Sequence, residues 1–159
     1  MTRTLRGTEG FRAAVAQELE PGEWFTITQE RIDAFADVTE DWQWIHVDPV
    51  RAAASDLGRT VAHGYLTLSL LPRLSSDVFE FADVDRAVNY GVEHVRFPSI
   101  VHPGDRIRAR AAVVSVEDHG SGVLGRVRYT VEIEGREKPS CVLDALMLVL
   151  PPTEEGERR

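Results

Sequence analysis

At 159 residues the chain is the size of one domain, since a second core would leave each half near the lower limit for unaided folding. Its 43% hydrophobic, 28% charged and 8% aromatic content excludes the disordered, collagenous and disulfide-scaffold classes. The formal net charge of −8, from 18 Lys+Arg against 26 Asp+Glu with no basic cluster, opposes binding to nucleic acid.

The longest apolar stretches, residues 142–150 and 65–71, are broken by Asp144 or by hydroxyls and fall far short of the roughly 20 residues of a membrane-spanning helix. Two arginines near the N-terminus are followed by no apolar run, so no secretory signal is expected there. The single cysteine, Cys141, fits a reducing compartment, and the cytoplasm is the expected location.

In chain order, an early strand is expected at 24–27 and a short amphipathic helix after an N-cap at Thr28, with Ile32, Phe35 and Ala36 at helical spacing and an end near Thr39. Residues 40–47, Glu-Asp-Trp-Gln-Trp-Ile-His-Val, read as a loop. Asp48 then caps a second short helix that begins at Pro49 and reaches about Ser55. From Gly64 to Leu74 the chain is apolar on nearly every face, as in a buried central helix, with Pro72 kinking or shortening it. Four long segments follow at 88–97, 106–116, 123–133 and 141–150, rich in β-branched residues and separated by turn signals at 103–105, 118–120 and 134–135. Helices followed by about five strands give an α+β order in which the buried helix lies against the sheet. The last strand is apolar on both faces over much of its length, so one face is expected to meet another subunit. Residues 1–150 form the single domain, and 151–159 read as a disordered tail.

Asp41 and His46 stand five apart in the loop, a carboxylate and an imidazole suited to moving protons near neutral pH, or to capping and surface hydrogen bonds. Asp48 is better explained as a cap. His63-Gly64 immediately precedes the central helix, where the first amides have no intrahelical partner. The pair therefore makes either an anion site approached by a ligand carbonyl or simply a tight turn. The arginines at 106, 108, 110, 126 and 128 alternate along two strands, as a seat for phosphates or as an ordinary solvated face. His46, Asp48, His63, His94 and His102 have no spacing characteristic of a metal site, and no metal is expected.

The runs 35–48 and 62–69 resemble the MaoC-type dehydratases, the (R)-specific enoyl-CoA hydratases of the hotdog fold, and especially their NodN-like branch. The resemblance continues through Val88-Asn89-Tyr90-Gly91 and Val95-Arg96-Phe97-Pro98 to residues 103–108, in the family's order and spacing. It implies a hotdog, a long central helix wrapped by a five-stranded antiparallel sheet, assembling as a homodimer or a higher even-numbered oligomer. It also implies that Asp41 and His46 hold a water over the double bond of an enoyl thioester, and that the Gly64 amide binds the thioester oxygen. The reaction would be hydration of trans-2-enoyl-CoA to the (R)-3-hydroxyacyl-CoA, or its reverse, with no cofactor beyond the coenzyme A of the substrate. On the same fold a thioesterase or a non-catalytic acyl-thioester-binding protein remains open. Gln43, His63, Tyr65, Asn89, Gly91 and Arg96 are the expected substrate-binding residues. The family's usual Asn-Pro is replaced here by Gln43-Trp44, leaving Gln43 to orient the loop. Glu40 stands where a glycine is expected, so a positive φ there would be strained and its charge would act on Asp41.

Overall fold

The computed structural model describes residues 2–152, and the expected disorder of 153–159 lies outside that range. In chain order the elements are β1 (Arg3–Arg6), α1 (Gly7–Ala13), β2 (Phe25–Thr26), α2 (Gln29–Thr39), α3 (Trp44–Val47), α4 (Pro49–Ala53), α5 (Gly64–Ser69), α6 (Leu71–Ser75), β3 (Phe79–Ala82), β4 (Arg86–Arg96), β5 (Arg106–His119), β6 (Gly122–Ile133) and β7 (Cys141–Leu150).

Strands β2-β5-β6-β7-β4 form one five-stranded antiparallel sheet in that order. Alternation in β6 decides its faces: Val127, Tyr129, Val131 and Ile133 are buried, while Arg126, Arg128, Thr130 and Glu132 point outward. The buried face packs Ile107, Ala109, Val127, Tyr129 and Leu143 against Leu66, Leu71 and Leu74 of the α5–α6 segment, the helix-on-sheet arrangement of a hotdog. A bulge at Asn89/Gly91 shifts the β4–β7 register. No helix among the described residues is long and apolar enough to cross a membrane.

Three expectations need correction. The central helix is two short helices, α5 and α6, meeting at Leu70, because Pro72 cannot donate to the Leu68 carbonyl and its ring crowds that oxygen. The 40–47 loop contains one helical turn, α3. Finally, the fold adds α1, β1 and β3 to the expected elements: β1 and β3 pair in parallel as a separate two-stranded sheet, with only Leu5 of β1 buried. The expected caps are present, Thr28 accepting from the Arg31 amide at 3.3 Å and Asp48 from the Arg51 amide at 2.9 Å.

Candidate active site

α2 ends at Glu40, which adopts φ 58° and ψ 29° and lets its amide close back on the Ala36 carbonyl. Only this left-handed cap turns the chain sharply enough to send Asp41 back toward the helix. A side chain at that φ costs energy that glycine avoids, so Glu40→Gly is expected to raise stability by about 1 kcal/mol, read as a higher midpoint of thermal unfolding.

The turn of α3 that carries His46 is fixed from several sides. The Gln29 side-chain amide donates to the His46 carbonyl at 2.8 Å, and the Thr60 hydroxyl donates to the Gln29 oxygen at 2.5 Å. Arg51 covers the Trp44 ring at 4.3 Å, and the Trp42 indole donates to Asp37 at 2.9 Å. Gln29 thus supports the site, although a glutamine in the first turn of a helix carries no sequence signal for that role. Gln43 is exposed; its carbonyl accepts the His46 amide at 2.9 Å.

His46 is 7% exposed, and its Nδ1 lies 2.6 Å from the Val61 carbonyl. A carbonyl only accepts, so Nδ1 carries the proton and neutral His46 keeps its lone pair on Nε2. Burial holds this imidazole below its ordinary range, helped by neighbouring His63 and opposed by the Val61 carbonyl and Asp41. His46 is therefore neutral at pH 7. Its ring stacks on His63 with centroids 3.6 Å apart. His63, 3% exposed, donates from Nε2 to the Asp41 carbonyl at 3.0 Å. The Asp41 carboxylate is half exposed, with Oδ2 3.9 Å from the same nitrogen.

Donor atoms of Asp41, His46 and His63 all lie within 4.8 Å of one another. A water bridging two partners at ordinary hydrogen-bond length spans up to about 5.6 Å, so one water fits between the carboxylate and an imidazole. A metal ion fits poorly. The two rings are tilted by only 21°, so an ion in the plane of one lies out of the plane of the other, whereas ligand lone pairs must converge. Asp48, His94 and His102 stand apart from this cluster: Asp48 caps α4, His102 meets the Thr60 carbonyl at 2.9 Å, and exposed His94 faces Asp144 at 3.7 Å.

Gly64 follows His63 directly as the first residue of α5. The amides of Leu66 and Thr67 turn back to the His63 carbonyl, whereas the Gly64 amide has no intrahelical acceptor. A Cβ on Gly64 would lie 3.0 Å from the Phe97 ring. Phe97, not its neighbour Arg96, is thus the side chain that reaches this helix start. The exposed Arg96 guanidinium donates to the Val95 carbonyl at 2.7 Å. Tyr65 is 70% exposed and meets the Phe97 ring edge-on at 6.1 Å.

A cavity of about 200 Å³ lies between the α5–α6 segment and the sheet, lined by Leu68, Leu71, Asn89, Gly91, Tyr129 and Met147. Gly64 stands one helical turn before Leu68 in α5, and Leu68, with Leu71 and Ser75 of α6, forms the stripe of this segment that lines the cavity. Asn89 and Gly91 therefore belong to its wall, apart from the Asp41–His46 pair. The outward arginines are all paired: Arg106 with Glu134, Arg108 and Arg110 with Glu132, Arg126 with Glu93 and Arg128 with Asp144. Four carboxylates thus serve five arginines, and among the described residues this comb is a paired solvated face with no unpaired arginine row for phosphates.

Residues 11–134 match the family model described as MaoC like domain. The chain is 47% identical over 146 residues to 3-hydroxyacyl-thioester dehydratase Z of Mycobacterium tuberculosis, covering 91% of this chain and 97% of that protein. It is 40% identical over 138 residues to Nodulation protein N of Rhizobium leguminosarum, covering 85% and 86%. Among solved structures, an R-hydratase from Pseudomonas aeruginosa superposes with a TM-score of 0.68 at 22% identity, covering 89% and 90%, a likeness of fold. By its sequence over most of its length, the chain belongs to the MaoC-like dehydratase family, in the branch that includes Nodulation protein N.

Proposed function

We propose that the protein hydrates trans-2-enoyl-CoA to the (R)-3-hydroxyacyl-CoA, or catalyses the reverse dehydration. The observation that carries this reading is the meeting of Asp41 and a neutral, tautomer-fixed His46 at the distance of one bridging water. In the hydration direction, His46 Nε2 takes a proton from that water as its oxygen bonds to Cβ. The Asp41 carboxylate accepts the water's other hydrogen and offsets the imidazolium charge. The electron pair of the double bond moves onto the thioester oxygen, where the Gly64 amide stabilises the enolate. The imidazolium then returns its proton to Cα on the same face, leaving the enzyme unchanged. No metal or redox cofactor enters these steps.

The acyl chain runs from Gly64 along the Leu68–Leu71–Ser75 stripe into the cavity. An apolar cavity of about 150 Å³ holds a benzene, so this one takes several carbons of the acyl tail. Ala145 is buried on the inner face of β7 and lines this cavity, so a larger side chain there takes up its space. Ala145→Leu is therefore expected to lower kcat/KM for an eight-carbon enoyl thioester by at least about tenfold while sparing a four-carbon one, measured across a chain-length series.

The active unit in this reading is a homodimer located in the cytoplasm. β4 is an edge strand of the five-stranded sheet, and Val88, Tyr90 and Val92 are exposed along it; pairing with a second copy would cover both the edge and the apolar surface. The experiment that tests the activity follows enoyl-thioester absorbance together with a thiol-reactive dye. Hydration consumes the double bond without releasing thiol. Thiol release with the double bond intact would make the protein a thioesterase, and binding without either signal would make it a carrier.

A further inference from the structure

His63 is neither the acid nor the base of the proposed chemistry, yet it meets every part of the site. Its main chain is bonded to Gly64, its Nε2 donates to the Asp41 carbonyl at 3.0 Å, and its ring lies 3.6 Å from that of His46. The Phe35 ring meets it as well, 5.0 Å away and tilted by 57°. Its other nitrogen, Nδ1, is buried without a hydrogen-bond partner. A buried polar atom left in this state is uncommon and marks a residue held in place for a reason other than its own solvation.

Building on the hydratase reading, we infer that His63 is a positioning residue, holding Asp41 through its main-chain carbonyl and His46 through its ring face. The argument is geometric. One side chain spans the three groups that must converge on the substrate, so a shift of His63 moves the water's two partners relative to the Gly64 amide. Misplacement of about 1 Å in a site of this kind costs about 100-fold in rate.

Nδ1 of His63 is buried with no acceptor, so the ring proton sits on Nε2, the nitrogen that meets the Asp41 carbonyl. Among the described residues, the titratable groups facing His46 are Asp41 and His63. The Val61 and Gln43 carbonyls and the Gln29 amide that complete its surroundings do not titrate.

Two substitutions separate the roles. His63→Gln keeps a donor for the Asp41 carbonyl but removes the ring and admits water beside His46. His63→Phe keeps a ring face but removes the donor. With His63→Phe, kcat is expected to fall about 100-fold at unchanged KM, with the acid limb of the pH profile unmoved. With His63→Gln, kcat should stay within about tenfold of the parent, and the acid limb should move to higher pH because His46 becomes easier to protonate.

Nitrogen-15 NMR of the histidines in the unmodified protein tests the same inference without a substitution. It should find the Nδ1–H form of His46 and the Nε2–H form of His63. A His63 that carries its proton on Nδ1, or two folded variants with the parent's kcat and pH profile, would overturn the inference. Absence of hydration by the unmodified protein would instead overturn the hydratase reading, and the NMR result would still decide the tautomer of His63.

Discussion

Asp41→Asn and His46→Gln are each expected to lower kcat for enoyl-thioester hydration by about 10²- to 10⁴-fold, with KM little changed, because both act on the water rather than on the bound acyl chain. The double variant should be scarcely worse than the poorer single one, since either loss dismantles the same water-holding pair. Steady-state rates of folded variants, checked by circular dichroism, decide this. If both singles keep more than about a third of the parent's rate, the assignment of roles fails. The pH dependence follows from the same group. Burial keeps His46 neutral below the ordinary imidazole value of about 6.5, so activity should persist into mildly acidic solution and be lost only as pH falls through the lowered pKa of His46.

The largest expected stability effect lies away from the site, where α1 rests on the sheet. Phe11 is fully buried, meets the Phe81 ring edge-on at 5.0 Å, and occupies the space above Gly125 of β6. A Cβ on Gly125 would fall 2.1 Å from the Phe11 ring, so no side chain fits while that ring stays in place. Phe11→Ala is expected to cost about 3–5 kcal/mol, and the midpoint of thermal unfolding should drop by roughly 10 °C. Gly125→Ala alone should destabilise by about 1–3 kcal/mol through overpacking. Phe11→Leu combined with Gly125→Ala should recover part of that loss, since the smaller side chain vacates the contested space. Equal stability of Gly125→Ala and the parent would contradict the packing.

Much of the sheet was legible because β5, β6 and β7 are long and patterned, and because Gly120 and Gly135 mark turns at positive φ. The caps at Thr28 and Asp48 were legible for the same local reason, a side-chain oxygen three residues before an amide that needs it. Elements defined by tertiary contact were not. β1 buries one side chain, Leu5, and pairs with β3 more than seventy residues away, so nothing local announces a strand. α1 depends in the same way on Phe11 finding Gly125 across the fold. The turn of α3 depends on Gln29, which reaches it from another helix.

Of the candidate site, Asp41, His46 and His63 lie together, with Gly64 next to His63 in the chain. The role of His63 was hidden: as a residue before a helix it reads as a cap or a ligand contact, and only the fold reveals its stack on His46. Phe97 was hidden by its neighbour, because spacing cannot tell which of Arg96 and Phe97 faces Gly64 across a strand end. Glu40 was the clearest departure, and the backbone bears out the positive φ that a glycine would have taken more easily.

The most direct measurement is hydration of a trans-2-enoyl-CoA in deuterated water, with the product resolved by chiral chromatography and NMR. The hydratase reading predicts the (R)-3-hydroxyacyl-CoA, and one water between Asp41 and His46 predicts a single deuterium on Cα, added on the face that received the hydroxyl. Deuterium on the opposite face would contradict a single histidine that both takes and returns the proton, and the (S) product would contradict the (R)-hydratase reading.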